Sequence, residues 1–250
     1  MNNRRQAIAD VVNQLGEVSI RDLKDMFPHV SEVTLRKDLQ TLYEESKLIR
    51  IHGGARSIRD ITTSQNNFST RQSLHQAEKA IIGEKAVKLL TPGSAVFISS
   101  GSTCAEMAKQ FPRENLQIFT DGVSVALSIP VAASLRVELL GGELNQNLMR
   151  TTGPSVVAAL DGLYFDCAFL GTMGFNPAYG FSISGPSIAA ASYKAIEHSR
   201  KTVILMDSSK VNDLCTPRNI PLRSVDIVVS DGGLPEDTVN ILEDAGITVL

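Results

Sequence analysis

Residues 31–55 read SEVTLRKDLQTLYEESKLIRIHGGA, and this stretch decides the fold of the N-terminal part of the chain. Ser31 is a helix-capping residue type, and Leu35, Leu39 and Leu42 follow at four- and three-residue steps, so they share one apolar helix face. The spacing leaves Thr34, Arg36, Lys37, Gln40 and Thr41 on the opposite face. A helix in the major groove needs this layout: short polar groups near its N-terminus for base edges, with Arg or Lys beside them for guanine edges and phosphates. Leu48-Ile49-Arg50-Ile51 then forms a β-rich run that meets His52-Gly53-Gly54, a turn signal. That describes a wing, with Arg50, His52 and Gly53 placed to touch DNA. A solvated helix face can carry the same charges. For the helix alone the two readings stand level, and the wing that follows favours recognition.

Upstream, Ile8, Val11, Val12 and Leu15 make an i, i+3, i+4, i+7 stripe that ends at Gly16. Ser19, with Asp22 three residues later, opens a second helix whose apolar face is Ile20, Leu23, Met26 and Phe27, up to Pro28. Three short helices and a hairpin predict a winged helix-turn-helix over residues 1–57. Residues 58–73 are polar without core periodicity and read as a linker. A helix then runs from about Leu74 to Leu90 and stops at Pro92-Gly93.

Beyond it, SAVFIS (94–99), LQIFT (116–120), RVELL (136–140), DCAFLG (166–171), TVILM (202–206) and VDIVV (225–229) are short apolar runs suited to strands buried on both faces. Helical stretches lie between several of them, near 103–110, 154–162, 186–199 and 235–245. Residues 74–250 are therefore expected to form an α/β domain with a mainly parallel sheet.

The composition fits two globular domains: 250 residues, 43% hydrophobic and 20% charged. No apolar run approaches the roughly 18 residues of a spanning helix, and MNNRRQ leads into an amphipathic segment, so a cytoplasmic protein without membrane contact is expected. The net charge of −3 argues weakly against nucleic acid, but residues 1–59 hold ten Lys/Arg against eight Asp/Glu, leaving fourteen against nineteen elsewhere. Cys104, Cys167 and Cys215 are odd in number and widely spaced, as incidental thiols are. His29, His52, His75 and His198 form no ligand spacing, so neither metal nor cofactor is expected.

A strand that ends in Ser99-Ser100-Gly101-Ser102-Thr103 and runs into a helix offers N–H groups, hydroxyls and a helix N-terminus, all of which favour phosphate. Thr103 with Glu106 also spells a capping box, so a capped helix without a ligand is the competing reading. Asp121 suits sugar hydroxyls or a plain turn. Gly141-Gly142 suits a close ligand or a tight turn. Asp166, Gly171 and Gly174 span a strand and the loop after it, where open α/β sheets hold ligands. Lys210, after Asp207, can supply a point charge to phosphate or simply lie on the surface. No Walker lysine follows the loop and no G-x-G-x-x-G occurs, which argues against a nucleotide.

The pattern Val30, Ser31, Thr34, Leu35, Arg36, Lys37, Asp38, Leu39, then His52 to Ala55, resembles the DeoR family of bacterial regulators. The chain departs from that family at Ser46-Lys47, where the family has Gly before the wing. The resemblance continues through Arg71, Glu78-Lys79, the loop 99–103, LGG at 140–142, the stretch 166–174 and DSSK at 207–210. It implies a ribose phosphate isomerase-like second domain that takes a phosphorylated sugar and controls binding to double-stranded operator DNA. It also implies repression of a carbohydrate operon, and a dimer or tetramer. The rival is a sugar-phosphate isomerase with an accessory DNA-binding domain. Against it, Ala189-Ala190-Ala191 stands where many members of the family carry acidic residues, no nucleophile elbow occurs, and fold likeness alone gives no activity.

Overall fold

A computed structural model describes residues 3–44, 47–51, 53–57, 68–112, 115–132, 134–211 and 218–250. The chain divides into two compact units, Met1–Asn67 and Phe68–Leu250.

In the first unit, helices α1 (Asn3–Leu15), α2 (Ile20–Met26) and α3 (Glu32–Glu44) enclose Ile8, Val12, Leu23, Leu35, Leu39 and Leu42. Leu15 and Met26, at helix ends, stay about half exposed instead of completing their stripes. The Ser19–Asp22 capping box forms in full, and Ser31 Oγ accepts from the Thr34 N–H at 3.2 Å to cap α3. Glu17–Ser19 is a strand, β1, too short to show a period in sequence. It joins β2 (Ile49–Ile51) and β3 (Gly54–Arg56) in a sheet of order β1-β3-β2, both pairings antiparallel. Here only glycine fits at 54, since a Cβ would lie 2.1 Å from the Val18 carbonyl oxygen.

The expected linker is corrected in part. Phe68–Ser73 is a helix, α4, and its Phe68 is buried in the second unit's core, where the apolar ring outweighs the polar composition around it. Residues 58–67 lie outside the described residues. The next helix, α5 (Gln76–Val87), starts after a left-handed turn at His75.

The second unit continues with β4 (Ala95–Ile98), α6 (Ser102–Lys109), β5 (Leu116–Thr120), α7 (Val123–Ser128) and β6 (Leu135–Leu139). A hairpin of β7 (Glu143–Asn145) and β8 (Arg150–Thr152) and helix α8 (Pro154–Ala159) lead to β9 (Cys167–Gly171). Strands β10 (Phe175–Asn176) and β11 (Gly180–Ser182), helix α9 (Pro186–Glu197), β12 (Thr202–Leu205), β13 (Asn219–Ile220), β14 (Ile227–Val229), α10 (Glu236–Asp244) and β15 (Thr248–Val249) complete it. Seven strands form one sheet of order β15-β14-β12-β9-β4-β5-β6, with every pairing parallel. At the central strands both faces are covered: Phe97 enters one apolar cluster, while Val96 and Ile98 enter the other; β6, expected to be buried on both faces, is instead an edge strand with Arg136 to Leu139 exposed. From β4 the chain passes through β5 to β6, then returns to β9 on the other side of β4. The switch point therefore lies at the C-terminal ends of β4 and β9, where open α/β sheets leave a crevice for ligands.

Candidate DNA-binding surface and effector site

Helix α3 turns Leu35, Leu39 and Leu42 inward and leaves Ser31, Arg36 and Lys37 exposed, with Thr34, Gln40 and Thr41 partly exposed. The guanidinium of Arg36 lies 3.9 Å from Glu32, both side chains more than half exposed, a pairing that competing phosphate can displace. Arg50 is exposed on β2 and donates to the Gln40 side chain, tying wing to helix. Exposed Gly53 fixes the wing turn through its carbonyl, which accepts from the Ile20 N–H at 2.8 Å. His52 lies outside the described residues.

Asp38, next to exposed Lys37, is itself buried. Its carboxylate accepts from Arg4 Nε at 2.6 Å and from the second Arg4 nitrogen at 3.2 Å, with Arg5 3.8 Å away. The motif's acid thus fastens α3 to α1, while its two basic neighbours point outward. The signal was its position, three residues after Leu35 and one before Leu39, on the inner half of the helix.

In the second unit, Ser99 to Thr103 follow β4 and start α6. Gly101 is the N-cap of α6 and no side chain caps it, so Thr103 does not form the capping box that its spacing with Glu106 suggested. Ser99, Ser100 and Ser102 are buried around these first-turn N–H groups. Asp121 is buried beneath them. One of its oxygens accepts from the Ser100 N–H at 2.8 Å, the other from Arg150. Asp121 is therefore an organiser of the loop rather than a ligand for sugar hydroxyls.

Arg150, on β8, was not singled out in sequence. Its side chain is 7% exposed, and its Nε has no hydrogen-bond partner. Arg71, on α4, also carries an unpartnered buried Nε; burial first, then the nearby Arg150 charge, lower its pKa. Lys79 on α5 is buried and donates to the carbonyls of Arg71 and Leu74, holding the α4–α5 turn. Burial lowers its pKa; Asp207 opposes that, and Lys210 and Arg71 add to it. Arg150 thus pairs with buried Asp121 and Lys79 feels buried Asp207, with the Arg71 charge near both Arg150 and Lys79 and the Lys210 charge near Lys79. An unmet buried donor costs about 1–3 kcal/mol, more when charged.

Lys210 ends a short 3₁₀ turn (Ser208–Lys210) that Asp207 caps through the Ser209 N–H at 3.1 Å. Asp231 grips the same turn, accepting from Ser208 N and Oγ. Burial works against its charge, but hydrogen bonds from Ser230 and Ser208 hold its pKa below the ordinary value. Cys104 lies near Asp121, Arg150 and Arg71, and burial and then Asp121 push its thiol up to about 12; a Cβ on Gly171 would lie 3.7 Å from its sulfur. Gly171 thus joins the cluster.

Asp166 does not. It precedes β9, at the opposite end of the parallel sheet from the loop after β4, and its carboxylate accepts from the Ala95 N–H at 3.0 Å. The Gly174 N–H and carbonyl are both engaged, with Thr172 and with Thr172 and Ser182, which ties it to the β10–β11 hairpin instead of a ligand. Gly142 is explained by packing, since a Cβ there would lie 2.6 Å from the Thr152 carbonyl oxygen. Gly141 is exposed beside it, in the turn that brings β8 and Arg150 alongside.

Residues 4–60 match the family model described as the DeoR-like helix-turn-helix domain, and residues 74–232 match that of the DeoR C terminal sensor domain. The chain belongs to the DeoR family of DNA-binding transcriptional regulators. It is 31% identical to YulB, an HTH-type transcriptional regulator of Bacillus subtilis, over 98% of this chain and 95% of that one. It is 28% identical to a putative aga operon transcriptional repressor of Escherichia coli O157:H7, over 100% and 93%. Among solved structures it is similar in fold to ribose 5-phosphate isomerase A of Methanocaldococcus jannaschii, at 17% identity over 53% of each chain and a TM-score of 0.37. Among the described residues no helix is long and apolar enough to cross a membrane.

Proposed function

We propose that this regulator represses a carbohydrate-utilisation operon, and that a phosphorylated sugar bound at the loop after β4 controls its hold on the operator. The observation that carries the reading is Arg150, a buried guanidinium with one donor on Asp121 and another unmet. Ser100, Gly101, Ser102, Thr103 and Gly171 supply the wall, Arg71, Lys79 and Lys210 the remaining charge. Ser31, Thr34, Arg36, Lys37, Gln40, Thr41, Arg50, His52 and Gly53 form the DNA side, and a reader of paired half-sites works as at least a dimer.

The cluster supports binding rather than isomerisation. A proton transfer beside a carbonyl needs a carboxylate free to accept it, whereas both Asp121 oxygens are engaged and Asp207 caps its own turn. The test is thermal unfolding of the full chain with pentose and hexose phosphates and the matching free sugars. A phosphorylated sugar should raise the midpoint, by the equivalent of about 2.7 kcal/mol at one hundred times its Kd, and the free sugar should not. It should also weaken operator binding, and operator should weaken sugar-phosphate binding by the same factor. Stabilisation by none of the phosphates would overturn the effector reading, and turnover of any would restore the isomerase.

A further inference from the structure

The two edges of the seven-stranded sheet differ. One is β15, two residues long; the other is β6, five residues, with no strand paired to its outer side among the described residues. Val137 and Leu139 on β6 are 41% and 42% exposed, and Leu127 on α7 and Val131 in the turn that follows are 76% and 99% exposed. A long apolar edge is a template for another strand unless something blunts it.

From these features we infer that β6 pairs antiparallel with β6 of a second copy of this chain, about a twofold axis at Val137. The inference rests on the oligomeric reading above and gives it a surface. Its sequence is Leu135-Arg136-Val137-Glu138-Leu139. In antiparallel pairing centred on Val137, Arg136 stands opposite Glu138 of the second copy and Glu138 opposite Arg136, so both charges are matched on one face. On the other face Leu135 meets Leu139, Val137 meets Val137 and Leu139 meets Leu135. That is the face α7 lies on, because Leu135, Val137 and Leu139 are in register with Leu116, Ile118 and Thr120 of β5, and Leu116 and Ile118 share the α7 core.

The backbone agrees. Ser134 offers its carbonyl to Leu116 N–H, and the Leu140 N–H donates to Thr120, so even-numbered residues turn their polar groups toward β5. Odd-numbered residues therefore turn theirs outward. The Leu135 N–H is met by Ala132, while Val137 and Leu139 face out. In the pairing, Val137 exchanges both hydrogen bonds with its copy, and each Leu139 N–H reaches the Leu135 carbonyl opposite. A register shifted by one residue would set apolar side chains against charged ones.

Sedimentation velocity on the full chain tests this. Arg136→Glu opposes glutamates across the axis and Glu138→Arg opposes arginines, so each should halve the assembly mass, with circular dichroism confirming the fold. The double variant restores opposite charges and should restore the wild-type mass. A Val137→Cys variant, oxidised, should give a covalent dimer reversed by reductant, beyond any seen with the wild-type chain. Single variants that keep the wild-type mass, a double variant that fails to recover it, or no crosslink would overturn the surface while leaving the oligomer in place. A wild-type chain that is monomeric overturns both.

Discussion

Two helix starts, one in each unit, are spelled alike and built differently. At α3, Ser31 closes the helix on itself: its Oγ accepts from the Thr34 N–H and lies 2.9 Å from Thr34 Oγ1. At α6, Gly101 takes the cap position and no side chain closes the turn, although Ser and Thr stand beside it. The cations differ in the same sense. Arg36 and Lys37 are exposed on α3, whereas Lys79 and Arg150 are buried and Arg71 is half-buried with its Nε enclosed. DNA is a large polyanion that rewards mobile, hydrated cations through counterion release, so a self-sufficient helix can present them from its side. A small phosphate must be paid for with desolvated donors already in place, and an open helix start supplies them.

The largest expected effect breaks the buried side of this contrast. Arg150→Met leaves the Asp121 carboxylate buried without its ion pair, and should destabilise the second unit by about 3–5 kcal/mol. Chemical denaturation followed by circular dichroism measures it. Adding Asp121→Asn removes the stranded charge and should recover most of the loss, with no recovery of effector response. If the single variant is as stable as wild type, the pair does not organise the loop.

An intermediate effect sharpens the exposed side. Arg36→Ala should weaken specific operator binding by about 1–3 kcal/mol if its guanidinium reads a guanine edge. Lys37→Ala should weaken all sequences alike and flatten the salt dependence by about one ion. Anisotropy titrations across salt concentrations separate these outcomes, and unchanged affinity in both variants removes α3 from the groove.

The smallest effect compares the two helix starts directly. Ser31→Ala removes a cap and should cost about 0.5–2 kcal/mol. Thr103→Ala removes none and should stay within about 0.5 kcal/mol in the unliganded protein. Equal losses measured by thermal unfolding would mean that Thr103 does cap α6.

By itself the sequence determined what local pattern can carry. The Leu35, Leu39, Leu42 spacing fixed an inner face and so named the outward residues of α3. The apolar runs that became the central strands β4, β9 and β12 were legible because strands covered on both faces need no alternation, whereas β6 reads alike and lies exposed at the sheet edge. The Ser99–Thr103 loop was legible as a phosphate-type turn, since its residue types and its place between strand and helix are adjacent in the chain. Tertiary structure decided the rest. Arg150 lies 29 residues from Asp121 and Arg71 lies 79 residues from Arg150, so no spacing rule links them. Asp166 and Gly171 are neighbours in sequence, yet five residues of extended strand carry them to opposite ends of the sheet, about 3.3 Å per residue. Short elements such as β1 and α7 were invisible because fewer than two periods of any pattern fit within them. Which charges are exposed and which are buried is a property of what packs above them, and that is written in contacts between distant residues.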